Sequence, residues 1–524
     1  MHFEIVTLFS VATAVALAVR WLKVPYTVAL VVTGLVLGAA HALEPPNLTK
    51  ELLYAVFLPG LLFEAAFHLE FRKFWQNKLA IHSLAVPGVA AAVALTAVML
   101  TPVANALHFV DGFELRHGLV FAALIAATDP IAVVALFKSL GAPKRLAILM
   151  EGESLLNDGT AVVAFTLILG IVTGRKLSPV GALMDFIKVV GMGTLIGVTF
   201  GFAISKVIQT VDDPMIEITL TTIAAYGSFV TAEYFHYSGV IATVAAGMLC
   251  GNYGAHTGMS PSTRIAVESF WEYVAFALNS MVFLLIGFTV SIEALVASWK
   301  PILAAYLAVT LGRAAVIAGV SLLLRPSREQ IPWSWSTVLM WGGLRGGLSM
   351  VLVLGLPPHF PHAELLRTMT FGVVIISILV QGLTMAPLLR RLGLVGSRED
   401  RLAYERERGL VRAKRAALSA LQQMVHDGTV QADLVEPIRA EYQRHIAEAE
   451  QRISELHLQA QQLREEELHA ARRHLLLIEK DTILAAYHKG FIGQDALNQL
   501  LQDVDARLFR LEAGEETSLT ASSE

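Results

Sequence analysis

The chain of 524 residues is 55% hydrophobic and only 16% charged, with a mean hydropathy of +0.59, which excludes an ordinary soluble domain. Its net charge of -4 and its scattered basic residues give no support for a nucleic-acid partner. The single cysteine, Cys250, argues against a disulfide framework and a cysteine-based metal site.

Apolar runs of about 20 residues recur through the first three quarters of the chain, each long enough to cross a bilayer as a helix. The first continues to Leu22 without a basic n-region or a convincing cleavage site, which indicates a membrane helix rather than a signal peptide. Further segments are predicted near residues 25–42, 50–68, 79–101, 117–138, 145–173, 179–208, 215–233, 237–254, 266–292, 299–324, 333–356 and 364–392. The prediction is an all-α, polytopic membrane protein with about thirteen transmembrane helices.

The charges of alternate loops predict the orientation of these helices. One set of loops and ends holds fourteen basic residues: Arg20, Lys23, Arg72, Lys73, Lys78, Lys138, Lys144, Arg145, Lys206, Arg264, Arg325, Arg328, Arg390 and Arg391. The other set holds six: Lys50, Arg116, Arg175, Lys176, Lys300 and Arg367. Because basic loops stay inside, we expect a plasma (inner) membrane protein with its N-terminus outside and its C-terminus in the cytoplasm.

The composition changes after Arg391 to a sequence rich in Glu, Arg, Gln, Ala and Leu, with apolar residues near helical spacing. We therefore predict two domains, a transmembrane domain at 1–392 and a cytoplasmic helical domain at 393–524. The segment at 448–468 is predicted to form a long amphipathic helix, able to pair with another helix. The tail is interpreted as an assembly element or a regulatory module, and residues after Glu515 as disordered.

Four ionisable residues are predicted to lie near the middle of the membrane, where a charge costs several kcal/mol. From the rise of a helix, they fall about 18–21 Å from the ends of their segments. They are Glu64, Asp129, Asp158 and Arg345. Because a transport site needs ionisable groups at one depth, the set is interpreted as functional rather than as isolated structural ion pairs.

Two of these segments contain helix-breaking residues. Pro130 removes a backbone donor and clashes with the preceding turn, which predicts a break around Thr128 and Asp129. Asp129 then offsets the N-terminal dipole of the following half-helix. Four glycines around Arg345 favour a second unwound stretch, whose guanidinium would face freed carbonyls or an acid. Two interrupted helices in different halves are typical of a transporter with inverted repeats.

The sixth segment presents polar faces inside the membrane. Ser154 and Asp158 are four residues apart and share one helix face, while Glu153 and Asn157 share the adjacent face. Carboxylate, hydroxyl and amide oxygens are hard ligands suited to sodium-like cations. Because burial favours the protonated form of a carboxylic acid, Asp158 can hold either a proton or a cation.

At these positions the chain resembles the monovalent cation/proton antiporter family, which includes the bacterial NhaP-type and the animal sodium/proton exchangers. The resemblance covers roughly residues 3–392. It is carried by F-L-P-G-L-L-F-E-A-A-F, A-A-T-D-P-I-A-V-V, E-G-E-S-L-L-N-D-G-T-A-V-V and G-G-L-R-G-G-L-S, in the family's order.

The resemblance implies roles for these residues. Asp158 would bind the ion or the proton, with Ser154, the Thr128 carbonyl and Glu64 completing the cation shell. Asn157 would lie beside Asp129 and support the site. Glu153 and Arg345 would form a structural ion pair. Since electroneutral members lack a second Asp before the key one, Asn157 implies one-for-one exchange. The family also implies a homodimer whose core domain moves against a dimerisation domain.

The predicted function is exchange of Na⁺, with Li⁺ or K⁺ as alternatives, for H⁺, with no enzyme activity and no cofactor, serving pH and cation homeostasis. Arg313, near mid-depth of the eleventh segment, is interpreted as structural, neutralising helix C-terminal ends, with a gating role as the alternative. A proton-uncoupled cation channel and an ion-sensing membrane protein are the alternative functions. The expected partners are cations, protons, membrane lipids and a second copy of the chain.

Overall fold

A computed structural model describes residues 2–22, 25–40, 53–109, 111–175, 178–357, 359–395, 398–426, 432–457, 461–488 and 491–512. These ranges consist of helices and the short segments that connect or interrupt them, with no β-strand among them. The chain divides into two compact units, Met1–Leu394 and Val395–Glu524, a division two residues beyond the predicted domain boundary.

The first half of the membrane unit contains twelve labelled helices. They are α1 His2–Leu22, α2 Tyr26–Ala39, α3 Leu58–His68, α4 Phe71–Gln76, α5 Lys78–Ser83, α6 Val89–Ala106, α7 Leu115–Leu124, α8 Ile131–Leu140, α9 Lys144–Val172, α10 Pro179–Ile208, α11 Pro214–Tyr234 and α12 Gly239–Leu249. Wider π-helical turns join or extend several of them at Leu53–Phe57, Leu84–Gly88 and Cys250–Gly254.

The second half of the unit begins after the single turn Ala255–Thr257. Its helices are α13 Pro261–Thr289, α14 Ile292–Ala297, α15 Trp299–Leu323, α16 Trp333–Trp341, α17 Gly347–Leu354, α18 Ala363–Ile376 and α19 Gly382–Arg391. A π-helical turn, Ser377–Gln381, connects the last two.

The predicted set of thirteen segments is confirmed among the described residues. Seven helical segments have the length and hydropathy of membrane spans, and six shorter apolar helices occupy five further predicted positions, two of them sharing the fifth. The helices α16 and α17 occupy the twelfth. The fifth predicted segment is divided into α7 and α8, and the twelfth into α16 and α17. Both breaks therefore fall where proline or clustered glycines weaken the helix.

The long helix α9 carries the polar motif and packs against α7, α10, α12 and the π-helical turn Leu84–Gly88. Gly159 in α9 permits a close contact with α12, because a Cβ there would lie 2.1 Å from Cδ1 of Ile241. Thr160 donates from Oγ1 to the carbonyl of Ala85 at 2.6 Å, within the π-helical turn. These contacts fix the rotation of α9 around its axis and therefore the direction of its polar faces.

The second unit consists of two helical hairpins. The helix α20 Arg398–His426 packs against α21 Ala432–His457, and α22 Gln461–His488 packs against α23 Gln494–Glu512. The second hairpin buries Leu476, Val504 and Leu511 between its helices. The predicted amphipathic segment at 448–468 covers the end of α21 and the start of α22. Its residues 458–460, and the tail after Glu515 that was predicted to be disordered, lie outside the described residues.

Candidate ion-binding site

Two unwound stretches, residues 126–130 and 343–346, meet in the membrane unit. The N–H of Asp129 donates to the carbonyl of Leu344 at 2.8 Å, so the stretches bond to each other where each has lost its own helical partners. Gly346 is required at this contact, because a Cβ there would lie 2.3 Å from Oδ2 of Asp129. The sequence thus permits a backbone crossing that a larger residue would prevent.

The crossing exposes the N-terminal end of α8, which has a partial positive charge, and the C-terminal end of α7, which has a partial negative charge. A side chain of the opposite sign lies at each end. Asp129 accepts from the N–H of Ile131 at 3.0 Å through Oδ1, which places an anion at the start of α8. Arg345 donates from Nη1 to the carbonyls of Ala126 and Ala127, at 2.7 and 3.0 Å, beyond the end of α7. The broken backbone groups are therefore satisfied inside the protein, as a membrane interior requires.

The polar faces of α9 bond directly to the first unwound stretch. Ser154 donates a hydrogen bond from Oγ to the carbonyl of Thr128. Asn157 donates from Nδ2 to Oγ1 of Thr128 at 3.1 Å and to the carbonyl of Ala126 at 3.3 Å. The structure thus brings Ser154 to the Thr128 carbonyl, as the family resemblance implies, and places Asn157 against Thr128, the residue before Asp129.

Asp158 follows Asn157 on α9 and is partly buried. The carboxylates of Asp129 and Glu153 lie within electrostatic range of it. Ser154 lies one turn earlier on the same side of α9, and its hydroxyl already contacts the Thr128 carbonyl. The arrangement offers a carboxylate, a hydroxyl and a carbonyl oxygen in one neighbourhood, which is the donor chemistry of an alkali-cation site.

Glu64 lies in α3 and contacts a side chain of the same helix. Its Oε1 is 3.3 Å from Nδ1 of His68, one turn later in α3. Glu64 and His68 are also within electrostatic range of Glu151, which precedes Asp158 by two turns of α9. The structure therefore places Glu64 beside His68 and within electrostatic range of Glu151, and its part in the cation shell stays a prediction.

The predicted ion pair between Glu153 and Arg345 is wrong in its cation. Glu153 pairs with Arg313, whose Nη1 and Nη2 donate to Oε1 and Oε2 at 3.0 and 2.9 Å. The reason is that the unwound stretches free backbone carbonyls, and Arg345 is bonded to those of Ala126 and Ala127. A guanidinium from α15 then supplies the charge that Glu153 needs in the protein interior.

Arg313 also bonds to a helix end, as the sequence predicted. Its Nε and Nη2 donate to the carbonyl of Leu339, at 3.2 and 3.0 Å, in the last turns of α16. The only sequence signal for the ion pair of Arg313 with Glu153 is that both residues lie at a similar depth. That signal could not distinguish Arg313 from Arg345, since both lie near mid-depth.

A cavity of about 30 Å³ lies beside this network, with room for about two water molecules. Its polar lining residues are Thr96, Glu153, Asn157, Arg313 and Arg345. Oδ1 of Asn157 is buried without a hydrogen-bond partner among the described residues. The ion pair of Glu153 and Arg313 is thus bordered by a small, partly polar cavity and by apolar side chains of α6 and α15.

Discontinuous helices whose unwound stretches cross and expose oxygens beside a partly buried carboxylate are typical of secondary transporters. The comparisons identify the family. Residues 5–391 match the model of the transmembrane domain of the sodium/hydrogen exchangers. The chain belongs to that family.

Relatives with assigned names support the same family. The chain is 40% identical over 396 residues to the Na⁺/H⁺ antiporter ApNhaP of Aphanothece halophytica, covering 75% of this chain and 74% of the relative. It is 34% identical over 500 residues to the Na⁺/H⁺ antiporter NhaG of Bacillus atrophaeus, covering 93% and 91%. The second match extends well into the tail.

The fold is also similar to a solved structure. The sodium proton antiporter MjNhaP1 of Methanocaldococcus jannaschii superimposes with a TM-score of 0.61 at 19% identity. The superposition covers 74% of this chain and 97% of that protein. It establishes the architecture of the membrane unit.

Proposed function

We propose that this protein is a secondary active transporter that exchanges Na⁺ for H⁺ at Asp158. The observation that carries the proposal is that Asp158 lies one helical turn after Ser154 on α9, while the Ser154 hydroxyl bonds to the Thr128 carbonyl of the unwound stretch. Membership of the sodium/hydrogen exchanger family supports the same activity. The Li⁺ and K⁺ ions share the ligand chemistry of Na⁺ and are the alternative substrates.

Exchange follows from competition for one carboxylate. Protonated Asp158 has no charge with which to hold a cation, and the cation-bound carboxylate has no proton. When Asp158 binds either a proton or a cation, its negative charge is compensated and the site can reorient across the membrane. The empty, charged carboxylate opposes reorientation. Alternating access between the two sides then couples cation movement to proton movement in opposite directions.

The proposed stoichiometry is one cation for one proton. Asn157, the residue before Asp158, donates from its amide Nδ2 to Oγ1 of Thr128 and has no carboxylate that could titrate. A site with one titrating carboxylate exchanges one charge for one charge. Transport is then independent of the membrane potential.

The proposed setting is the plasma (inner) membrane, with the N-terminus outside and the C-terminal unit in the cytoplasm, where the excess of basic loops belongs. In this orientation, α9 begins on the cytoplasmic side. We infer a homodimer whose core domain moves against a dimerisation domain. The physiological consequence is control of internal pH and cation content.

The test uses purified protein in vesicles that contain a trapped pH dye. Pulses of Na⁺, Li⁺ or K⁺ should move protons in the wild type, and clamping the membrane potential should leave the rate unchanged. Because protons and cations compete, the apparent KM for the cation should rise as pH falls, by at most about tenfold per pH unit. Asp158→Asn should abolish exchange, whereas the partly exposed control Asp185→Asn should retain it.

Two results would overturn the proposal. Cation flux without proton movement would establish a channel in place of an exchanger. Normal turnover in a folded Asp158→Asn protein would remove Asp158 from the transport site. Voltage-dependent exchange would leave Asp158 in place but contradict the one-for-one ratio.

A further inference from the structure

The π-helical turn Ser377–Gln381 lies beside the break between α16 and α17. Helix α17, which follows the break, packs against α18, and α16, which precedes the break, packs against α19. The turn joins α18 to α19, so one segment, Ala363–Arg391, runs past the whole unwound stretch 343–346. We call this segment the supporting helix. Wider turns of this kind are rare in helices and occur frequently at functional sites.

The supporting helix bonds to the chain on both sides of the point where α16 ends. Trp341, the last residue of α16, donates from Nε1 to Oγ1 of Thr384 at 2.8 Å. Arg345, in the unwound stretch, donates from its backbone N–H to Oγ of Ser377 at 3.1 Å. The two hydroxyls therefore hold the chain before the break and within it.

Ser377 is oriented to accept this backbone hydrogen bond. Its hydroxyl donates to the carbonyl of Val374 at 2.8 Å. Because a serine hydroxyl has only one hydrogen, that bond leaves its lone pairs for the N–H of Arg345. Ser377 is 2% exposed and Arg345 is 5% exposed, so water does not replace the bond. A backbone N–H without a partner is costly in the interior of a membrane protein, and Ser377 supplies the partner here.

The bond at Ser377 is connected to the proposed cation site through Arg345. The guanidinium of Arg345 donates from Nη1 to the carbonyls of Ala126 and Ala127, at 2.7 and 3.0 Å. The next residue is Thr128, whose carbonyl accepts the hydrogen bond of Ser154. The position of the Arg345 backbone thus determines where its side chain holds the residues immediately before the proposed cation ligand.

Each unwound stretch is therefore bonded to a serine hydroxyl of the helix that follows it in the chain. Ser154 of α9 donates to the carbonyl of Thr128 in the first stretch. Ser377 accepts from the N–H of Arg345 in the second. The first serine contacts the proposed ligand directly, and the second acts on it through Arg345.

We propose that Ser377 is a positioning residue for cation binding, which fixes the backbone of Arg345 so that the guanidinium holds the Thr128 carbonyl in the geometry of the cation shell. The inference rests on the proposed function and extends the site to the supporting helix. Loss of the hydroxyl lets the Arg345 backbone move. The carbonyls of Ala126 and Ala127 then shift with the guanidinium, and the adjacent carbonyl of Thr128 binds the cation less well.

The experiment measures KM for Na⁺ and the turnover rate of the full chain in the vesicle assay, beside the midpoint of thermal unfolding in detergent. Ser377→Ala removes the acceptor, and Ser377→Thr keeps a hydroxyl. The matched control is Ser321→Ala, because Ser321 is also a buried serine of the membrane unit and bonds through Oγ to Oγ of Ser336, at 2.8 Å. That bond joins α15 to α16 and involves neither unwound stretch.

Ser377→Ala should raise KM about two- to tenfold, the range that one net hydrogen bond in a protein supplies. The turnover rate should change less than KM, because the effect is on binding of the cation rather than on reorientation. Ser377→Thr should return KM toward the wild-type value. Ser321→Ala should lower the thermal midpoint about as much as Ser377→Ala does, with the wild-type KM.

A second comparison tests whether Ser377 acts through the guanidinium. In Arg345→Met no guanidinium remains to be directed at the carbonyls of Ala126 and Ala127. Adding Ser377→Ala to Arg345→Met should therefore leave KM unchanged, although each single variant raises it. Such non-additivity is expected only of residues that act in one connected network.

A lower thermal midpoint with the wild-type KM in Ser377→Ala would show that Ser377 only stabilises the fold, and would overturn the inference. The same factor of increase in KM with and without Arg345→Met would overturn it as well, as would a KM in Ser377→Thr as high as in Ser377→Ala. Absence of Na⁺-driven proton movement in the wild type would instead defeat the proposed function itself. If Ser377→Ala does not fold, Ser377→Cys, which has a similar volume but a weak acceptor, replaces it in each comparison.

Discussion

Arg313 of α15 holds Glu153 of α9 through two parallel N–H···O bonds of 3.0 and 2.9 Å. The same guanidinium donates to the carbonyl of Leu339, near the end of α16 and just before the second unwound stretch. Glu153 is only 3% exposed, so the pair is shielded from water. One arginine thus connects the helix that carries Asp158 to both α15 and α16.

We expect Arg313→Met to destabilise the protein by about 3–5 kcal/mol, since it leaves the buried charge of Glu153 without its partner. Glu153→Gln should cost less, because it removes the charge itself. The double variant should be more stable than the sum of the single effects predicts, and the midpoint of thermal unfolding in detergent measures this coupling.

The matched control for this cycle is Arg175→Met, which removes an exposed ion pair with Asp185 of the same length, 3.0 Å. With more than half of the Arg175 side chain in contact with solvent, a loss of at most about 1 kcal/mol is expected. Equal losses at Arg175 and Arg313 would show that burial does not strengthen the Glu153 pair.

The helices of the membrane unit were predictable because hydropathy and helix length are local properties of the chain. The two breaks were predictable for the same reason, since Pro130 and the glycines around Arg345 act on their own backbone. The contact of Ser154 with the Thr128 carbonyl was anticipated through a family resemblance, because no spacing rule relates residues in separate helices.

The choice of cation for Glu153 could not be predicted from spacing. Arg313 and Arg345 lie at similar depths, and the sequence does not encode how far each segment is rotated or displaced toward α9. The unwound backbone decided the matter, because the carbonyls of Ala126 and Ala127 need donors and Arg345 is adjacent to them.

Arg345→Met should weaken the cation site, because it frees the carbonyls of Ala126 and Ala127 next to Thr128. We expect a higher KM for Na⁺ and a loss of stability of about 1.5–3 kcal/mol, the range for hydrogen bonds to a charged group. Arg345→Lys keeps a cation at the end of α7 and should give an intermediate result. Wild-type KM and melting in Arg345→Met would contradict the assignment of Arg345 to these carbonyls.

Asn157→Asp should not create a second transporting carboxylate. The Nδ2 group of Asn157 faces three acceptors, Oγ1 of Thr128, the carbonyl of Ala126 and, at 3.4 Å, Oε1 of Glu153. A carboxylate at this position cannot donate to these oxygens and would face them as a further acceptor, so we expect lower thermal stability. We also expect exchange to remain independent of voltage. The exposed Asn105→Asp is the control and should melt like the wild type. Voltage-driven exchange in a stable Asn157→Asp protein would contradict this prediction.

Gly346→Ala should separate the two unwound stretches at their crossing. The added Cβ would lie 2.3 Å from Oδ2 and 2.4 Å from Cβ of Asp129, a distance that only a movement of the backbone relieves. That movement would strain the bond from the Asp129 N–H to the carbonyl of Leu344 and shift the adjacent Thr128 carbonyl, so we expect at least about a tenfold loss of exchange rate, equivalent to about 1.4 kcal/mol. The matched control is Gly319→Ala in the helix α15, where the added Cβ has no neighbour within 4 Å. Because alanine is the better helix former by about 1 kcal/mol, Gly319→Ala should keep full activity with equal or higher thermal stability. Full exchange in Gly346→Ala, measured beside this control in the same vesicles, would show that the close contact at Asp129 is not needed for transport.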